Sequence, residues 1–104
     1  MHQHIEWDAP GAQSVTAYYA QHPENYSEPH RGSIVSGHYQ GANVRVKVEA
    51  YKDSVSIGEV AAIIDTRGKR FKQLGKISLG DMVRLPDDER AFEMMDNTPF
   101  DDGD

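Results

Sequence analysis

Hydrophobic residues change their spacing along this chain, and each change predicts a different element. Over residues 11–21, Val15, Tyr18 and Tyr19 stand at i, i+3 and i+4, with Ala12 extending the same side. That is the spacing of a short amphipathic helix of about three turns. Asp8, ahead of Pro10, is its expected cap. Pro23 ends it near His22, because the residue before a proline is pushed out of helical geometry. The helix is expected to cover one end of a sheet. Ile5 and Trp7 are two large apolar anchors in the otherwise polar first ten residues.

Pro23 to His30 is a loop rich in Pro, Asn, Ser and Glu, and after it the period becomes two. Ser33–Tyr39 predicts a first strand, and Gln40-Gly41-Ala42-Asn43 is turn material. Val44, Val46 and Val48 then alternate with Arg45, Lys47 and Glu49, the clearest half-buried strand in the chain. Ala50-Tyr51-Lys52-Asp53 predicts the next turn. Val55, Ile57 and Val60–Ile64 predict a third strand, bent or bulged near Gly58. After a turn at Asp65-Thr66-Arg67-Gly68, Phe71, Leu74 and Ile77 recur in threes, which fits a single helical turn or a wrapped segment better than a flat strand. Gly80-Asp81 leads into a fourth strand, Met82–Leu85, and Pro86–Glu89 turns into a fifth, Ala91–Met95. Five short strands joined by many glycine-containing turns predict a mostly β fold, a small barrel or curled antiparallel sheet with an N-terminal helix. Closure would remove exposed edges. The expected organisation is an arm with a short helix over 1–30, a β-barrel domain over 31–95 and a disordered acidic tail over 96–104.

Composition narrows the picture. A chain of 104 residues has room for one domain, and the absence of cysteine rules out disulfides and thiolate metal sites. The start, Met1-His2-Gln3-His4-Ile5-Glu6-Trp7-Asp8, has neither a basic run nor an apolar core, so no signal peptide is expected. No apolar stretch approaches a membrane span. The expectation is a cytoplasmic protein without membrane association. Net charge is −6, but it is sorted: ten of the eleven Lys and Arg residues, and only five of the seventeen Asp and Glu, lie between Arg31 and Leu85. A basic middle therefore sits between acidic flanks, and the global charge misleads about what the middle can bind.

The sharpest local feature is Arg67-Gly68-Lys69-Arg70-Phe71-Lys72, with Lys76 close behind. Cations for phosphates beside a flat ring for a base are what single-stranded nucleic acid requires. Arg45 and Lys47, on the outward face of their strand, would extend the track, and Tyr39 and Tyr51 are further stacking candidates. The expected activity is non-catalytic binding, with RNA or single-stranded DNA, or another polyanion, as the ligand. The rival reading is a protein-interaction adaptor that uses the barrel edge or the acidic tail around Pro99-Phe100. The same tail, with Asp101, Asp102 and Asp104, could instead fold back on the basic loop and compete with a polyanion.

No cofactor and no metal site are expected: His22, Glu24, Glu28, His30 and His38, like His2 and His4, match no standard ligand spacing. Nor is an enzyme. There is no Gly-x-Ser-x-Gly elbow or phosphate loop, and Ser36 with His38 on one side of a strand has no orienting acid.

Gly32-Ser33-Ile34, Asn43 leading into Val44-Arg45-Val46, the basic Gly68-Lys69-Arg70-Phe71-Lys72 and Ile77-Ser78-Leu79-Gly80-Asp81-Met82-Val83-Arg84-Leu85 stand in an order that resembles an OB-fold domain of the bacterial translation initiation factor one type, over residues 32–94. The resemblance implies a five-stranded OB-like barrel that binds RNA. The acidic flanks and the long third strand depart from that family. PRC-type and SH3-like barrels share the turn logic, and Ile57-Gly58-Glu59-Val60 followed by Ile64-Asp65 suits the former.

Overall fold

The alternating valines build the centre of the molecule. In the computed structural model, which describes residues 5–94, they lie on β2 (Ala42–Lys52), flanked antiparallel by β1 (Ile34–Tyr39) and β3 (Val55–Ile64). Both connections are shorter than the sequence suggests. Gln40-Gly41 and Asp53-Ser54 form two-residue loops with positive φ at both positions (49° and 80°, 54° and 63°). That backbone matches the right-handed twist of the strands it joins, so pairing continues to the loop itself. Ala42, Asn43 and Ala50–Lys52, expected as turns, are therefore strand.

The far edge of β3 is shared. Its first half, Val55–Glu59, pairs with β7 (Met82–Pro86), and its end, Ile63–Ile64, pairs with the two-residue β4 (Arg70–Phe71). Two register shifts curl the sheet: Ala61 is an extra residue on β3 opposite Arg45/Val46, and Glu49 an extra residue on β2 opposite Ile57/Gly58. The bend near Gly58 thus comes from a bulge on the neighbouring strand. Gly58 is required there, because a Cβ would sit 2.1 Å from the Lys47 carbonyl oxygen. The result is a curled antiparallel sheet, a half-barrel, with one short α-helix among the described residues.

Val35, Val44, Val46, Val48, Val60, Ile63, Val83 and Leu85 fill the concave side, and Ile5 and Trp7 join them. Burial of each such side chain stabilises the fold by about 1.5–3 kcal/mol. Trp7 Nε1 donates to the Arg84 carbonyl (2.8 Å), and Asp8 N donates to the His38 carbonyl (2.8 Å).

Two local expectations are corrected, and a third is resolved between its alternatives. The helix is shorter: α1 spans Val15–Gln21 after a 3₁₀ turn at Gly11–Gln13, and its cap is Ser14, whose hydroxyl accepts from Ala17 N. Asp8 instead binds the β1–β2 loop, its carboxylate accepting from Gln40 N and Gly41 N. Of the two alternatives for the apolar threes over 71–77, the wrapped segment is the one that forms. The chain wraps through β5 (Gln73–Leu74) and β6 (Ile77–Ser78), which buries Ile77 completely and packs Phe71 and Leu74 against the core. The fifth strand does not form over Ala91–Met94. Arg90 and Ala91 make only isolated bridges, to Gly37 and Ser14, after a 3₁₀ turn at Asp87–Glu89. Met95 and the acidic tail, including Phe100, lie outside the described residues.

Candidate nucleic-acid interface

The basic excursion is shaped by its acids. The Asp65 carboxylate accepts from Arg67 N (2.9 Å) and Lys69 N (2.8 Å), while the Asp65 and Lys69 backbones bond to each other (2.9 Å). Asp is favoured at such turns because its short side chain reaches backbone donors two and four residues on. Further along, the Tyr39 hydroxyl accepts from Lys76 N (2.9 Å), and Asp81 accepts from Ser78 N (2.9 Å). The backbone from 65 to 78 is thus held at several points. Arg67, Lys69, Arg70, Lys72 and Lys76 are exposed along it.

The two faces of the sheet divide the cations. Phe71 pairs with Ile63 and shares its core-facing side, whereas Arg70 pairs with Ile64 and takes the outer side. On that outer face Arg45 stands between Ser36 and Ala62, and Lys47 between Ile34 and Glu59. Lys47 is exposed. Arg45 is not open: its guanidinium forks onto Glu93, Nε to Oε2 at 2.5 Å and Nη2 to Oε1 at 3.0 Å. This bidentate geometry is the strongest an Arg–carboxylate pair offers. The hydrogen bond from Arg45, with the charges of Arg45 and Arg70 behind it, holds the Glu93 carboxyl below the usual carboxylate range.

Of the three rings expected to stack, one is buried and two are half-buried. Tyr39 is 3% exposed, a core residue whose hydroxyl pins Lys76 N and presents no face to a base. Tyr51 is half-buried and its hydroxyl donates to Asp87. Burial, then that bond, pushes its ionisation well above the ordinary phenol value. Phe71 is half-buried against the core, and the Lys69 ammonium sits 5.4 Å from its ring centroid, so the ring is already engaged by a cation.

What sequence reading missed lies over Arg45. Residues 90–94 form a strap on the outer face, bound by side chains of β1 and β2. Ser36 Oγ donates to the Ala91 carbonyl (2.7 Å), and His38 Nε2 donates to the Phe92 carbonyl (2.9 Å). Asn43 bonds to both the N–H and the carbonyl of Met94 (2.8 and 2.6 Å). These bonds explain two buried polar residues, His38 and Asn43. Ser36 and His38 are therefore engaged with the strap's backbone. Among the described residues no three His, Asp or Glu side chains are placed to hold a metal ion.

Comparison with known proteins finds no matching family model, curated protein or solved structure. No helix among the described residues is long and apolar enough to cross a membrane.

Proposed function

We propose that this chain is a non-catalytic binding domain that takes single-stranded nucleic acid, RNA or DNA, along the surface formed by the 65–76 excursion and the outer face of β2. One observation carries the reading. The excursion is braced through its backbone while Lys69, Lys72 and Lys76 are exposed and make no ion pair among the described residues. Cations held in place but unneutralised are what a phosphate backbone requires, since binding then releases counterions without first breaking a salt bridge. Arg70 and Lys47 extend the track on the outer face. The OB-like resemblance belongs to this proposal, and the curled antiparallel sheet supports it at the level of architecture. With Tyr39 buried and Phe71 half-buried against the core, the reading rests on phosphate contacts, so weak base preference is expected.

Charge reversal tests it. Lys69→Glu with Arg70→Glu should weaken binding of a labelled oligo(dT) or oligo(U) by about tenfold or more at low salt and flatten its salt dependence. Unchanged affinity would remove the loop from the site.

A second reading, a protein-interaction adaptor, is favoured by a different surface. Tyr18 (43% exposed), Tyr26 (41%) and Phe92 (38%) join Tyr19 in a ring cluster over α1 and the strap, with centroids 5.1–6.4 Å apart. Exposed aromatic clusters of this kind are typical of protein contacts. Absence of oligonucleotide binding at low salt would shift the assignment to that surface.

A further inference from the structure

We propose that Glu93 occupies a phosphate position of the basic surface, which makes the 90–94 strap an internal competitor for the nucleic acid. This rests on the nucleic-acid reading above and adds its regulation. The geometry is that of an anion site already filled. Two carboxylate oxygens meet the Arg45 fork, as two phosphodiester oxygens would. The charge of Arg70 acts on the same carboxylate. Both partners of the pair remain open to solvent, with side-chain exposures of 38% for Arg45 and 29% for Glu93. An incoming phosphate can therefore replace the carboxylate without leaving a charge buried and unpaired.

The way the strap is held fits this role. Ser36, His38 and Asn43 take its backbone, at Ala91, Phe92 and Met94. None of those bonds comes from Lys or Arg. The Arg45 fork holds the only strap residue that contributes a negative side chain between Ala91 and Met94. Phe92 and Met94, on either side of it, are each 38% exposed. Backbone bonds thus deliver the strap, and Glu93 alone decides whether Arg45 is free.

The test is anisotropy of fluorescein-labelled oligo(dT) and oligo(U), about fifteen nucleotides long, titrated with the full chain at several salt concentrations. Glu93→Gln should bind about three- to tenfold more tightly than wild type, and its log–log salt slope should steepen by about one phosphate contact. Asp88→Asn changes net charge equally at an exposed position away from Arg45 and should shift affinity less than twofold. Glu93→Asp, which keeps the charge but shortens its reach, should fall between wild type and Glu93→Gln, and it carries the test if the Gln variant fails to fold. Binding by Glu93→Gln where wild type is silent would also support the proposal. Equal shifts for Glu93→Gln and Asp88→Asn would reduce the effect to net charge and overturn it. Wild-type binding unaffected by Glu93→Gln would overturn the proposal and leave the nucleic-acid reading standing. No binding by wild type or any variant at low salt would overturn both.

Discussion

Residues 65–78 and residues 90–94 both cross the surface of the half-barrel outside its long strands, and they are fixed by opposite means. In the excursion, Asp65, Asp81 and the Tyr39 hydroxyl accept from backbone N–H groups, and Lys69, Lys72 and Lys76 are exposed without an ion pair among the described residues. In the strap, Ser36, His38 and Asn43 reach out from the sheet to the backbone, and the one ionic side chain between Ala91 and Met94 is turned onto Arg45. A run of like charges is therefore available charge only where the fold delivers nothing opposite to it. Lys69 and Arg45 look equivalent in the sequence, yet one is open and the other is forked onto a carboxylate.

The largest effect expected from breaking this contrast is at Asn43. The side chain is 1% exposed and makes both bonds to Met94. Asn43→Ala should cost about 2–3 kcal/mol, two hydrogen bonds plus the cavity, read as a lower urea midpoint at unchanged slope. Amide signals of 90–94 should move while those of 65–71 stay in place. A loss below about 0.5 kcal/mol would mean that the strap is not anchored through this residue.

A smaller effect is expected on the excursion. Asp65→Ala removes the acceptor for Arg67 N and Lys69 N at an exposed turn, where water replaces part of the loss, so about 1 kcal/mol is expected. Hydrogen exchange should accelerate over 65–71 and remain unchanged over 90–94. If both segments loosen together, they are one cooperative unit and the comparison loses its basis.

The alternation of Val44, Val46 and Val48 announced β2 because a half-buried strand writes its two faces directly into the chain. Strand ends were less legible. Asp53 marked a turn, but a two-residue loop with positive φ at both positions usually carries Gly, which neither Asp53 nor Ser54 is, and so the pairing of Lys52 with Val55 was hidden. Asp8 read as a helix cap because local rules see only neighbours, whereas its partners are 32 and 33 residues away. The basic run was legible as charge, but its rings were not: whether Tyr39, Tyr51 or Phe71 faces solvent depends on the curl of the sheet. Least legible was the strap. Its apolar spacing resembles a strand, while the groups that hold it, Ser36, His38 and Asn43, lie on two other strands. The Arg45–Glu93 pair joins residues 48 apart, and nothing local marks it.

The subtlest check is on that pair, through acid. Glu93 titrates in the folded chain below its ordinary value of 4.5, chiefly because Arg45 bonds to its charged form. Lowered ionisation in the folded state means that the stabilisation is complete above the ordinary value. It is lost as pH falls through that value toward the lower folded one, where the unfolded chain takes up its proton first. Wild type should therefore exceed Glu93→Gln in stability at neutral pH, and the gap should narrow below about pH 4.5 as the pair is protonated away. The gap should be modest, because both side chains are about a third exposed and water screens the pair. Urea midpoints of the two proteins from pH 7 to pH 3 measure it, and the shared acid sensitivity of the other carboxylates cancels in the difference. Parallel curves would mean that Glu93 carries no ion pair in solution. Arg45 would then be as open as Lys69, and the strap would have no charge with which to oppose a phosphate.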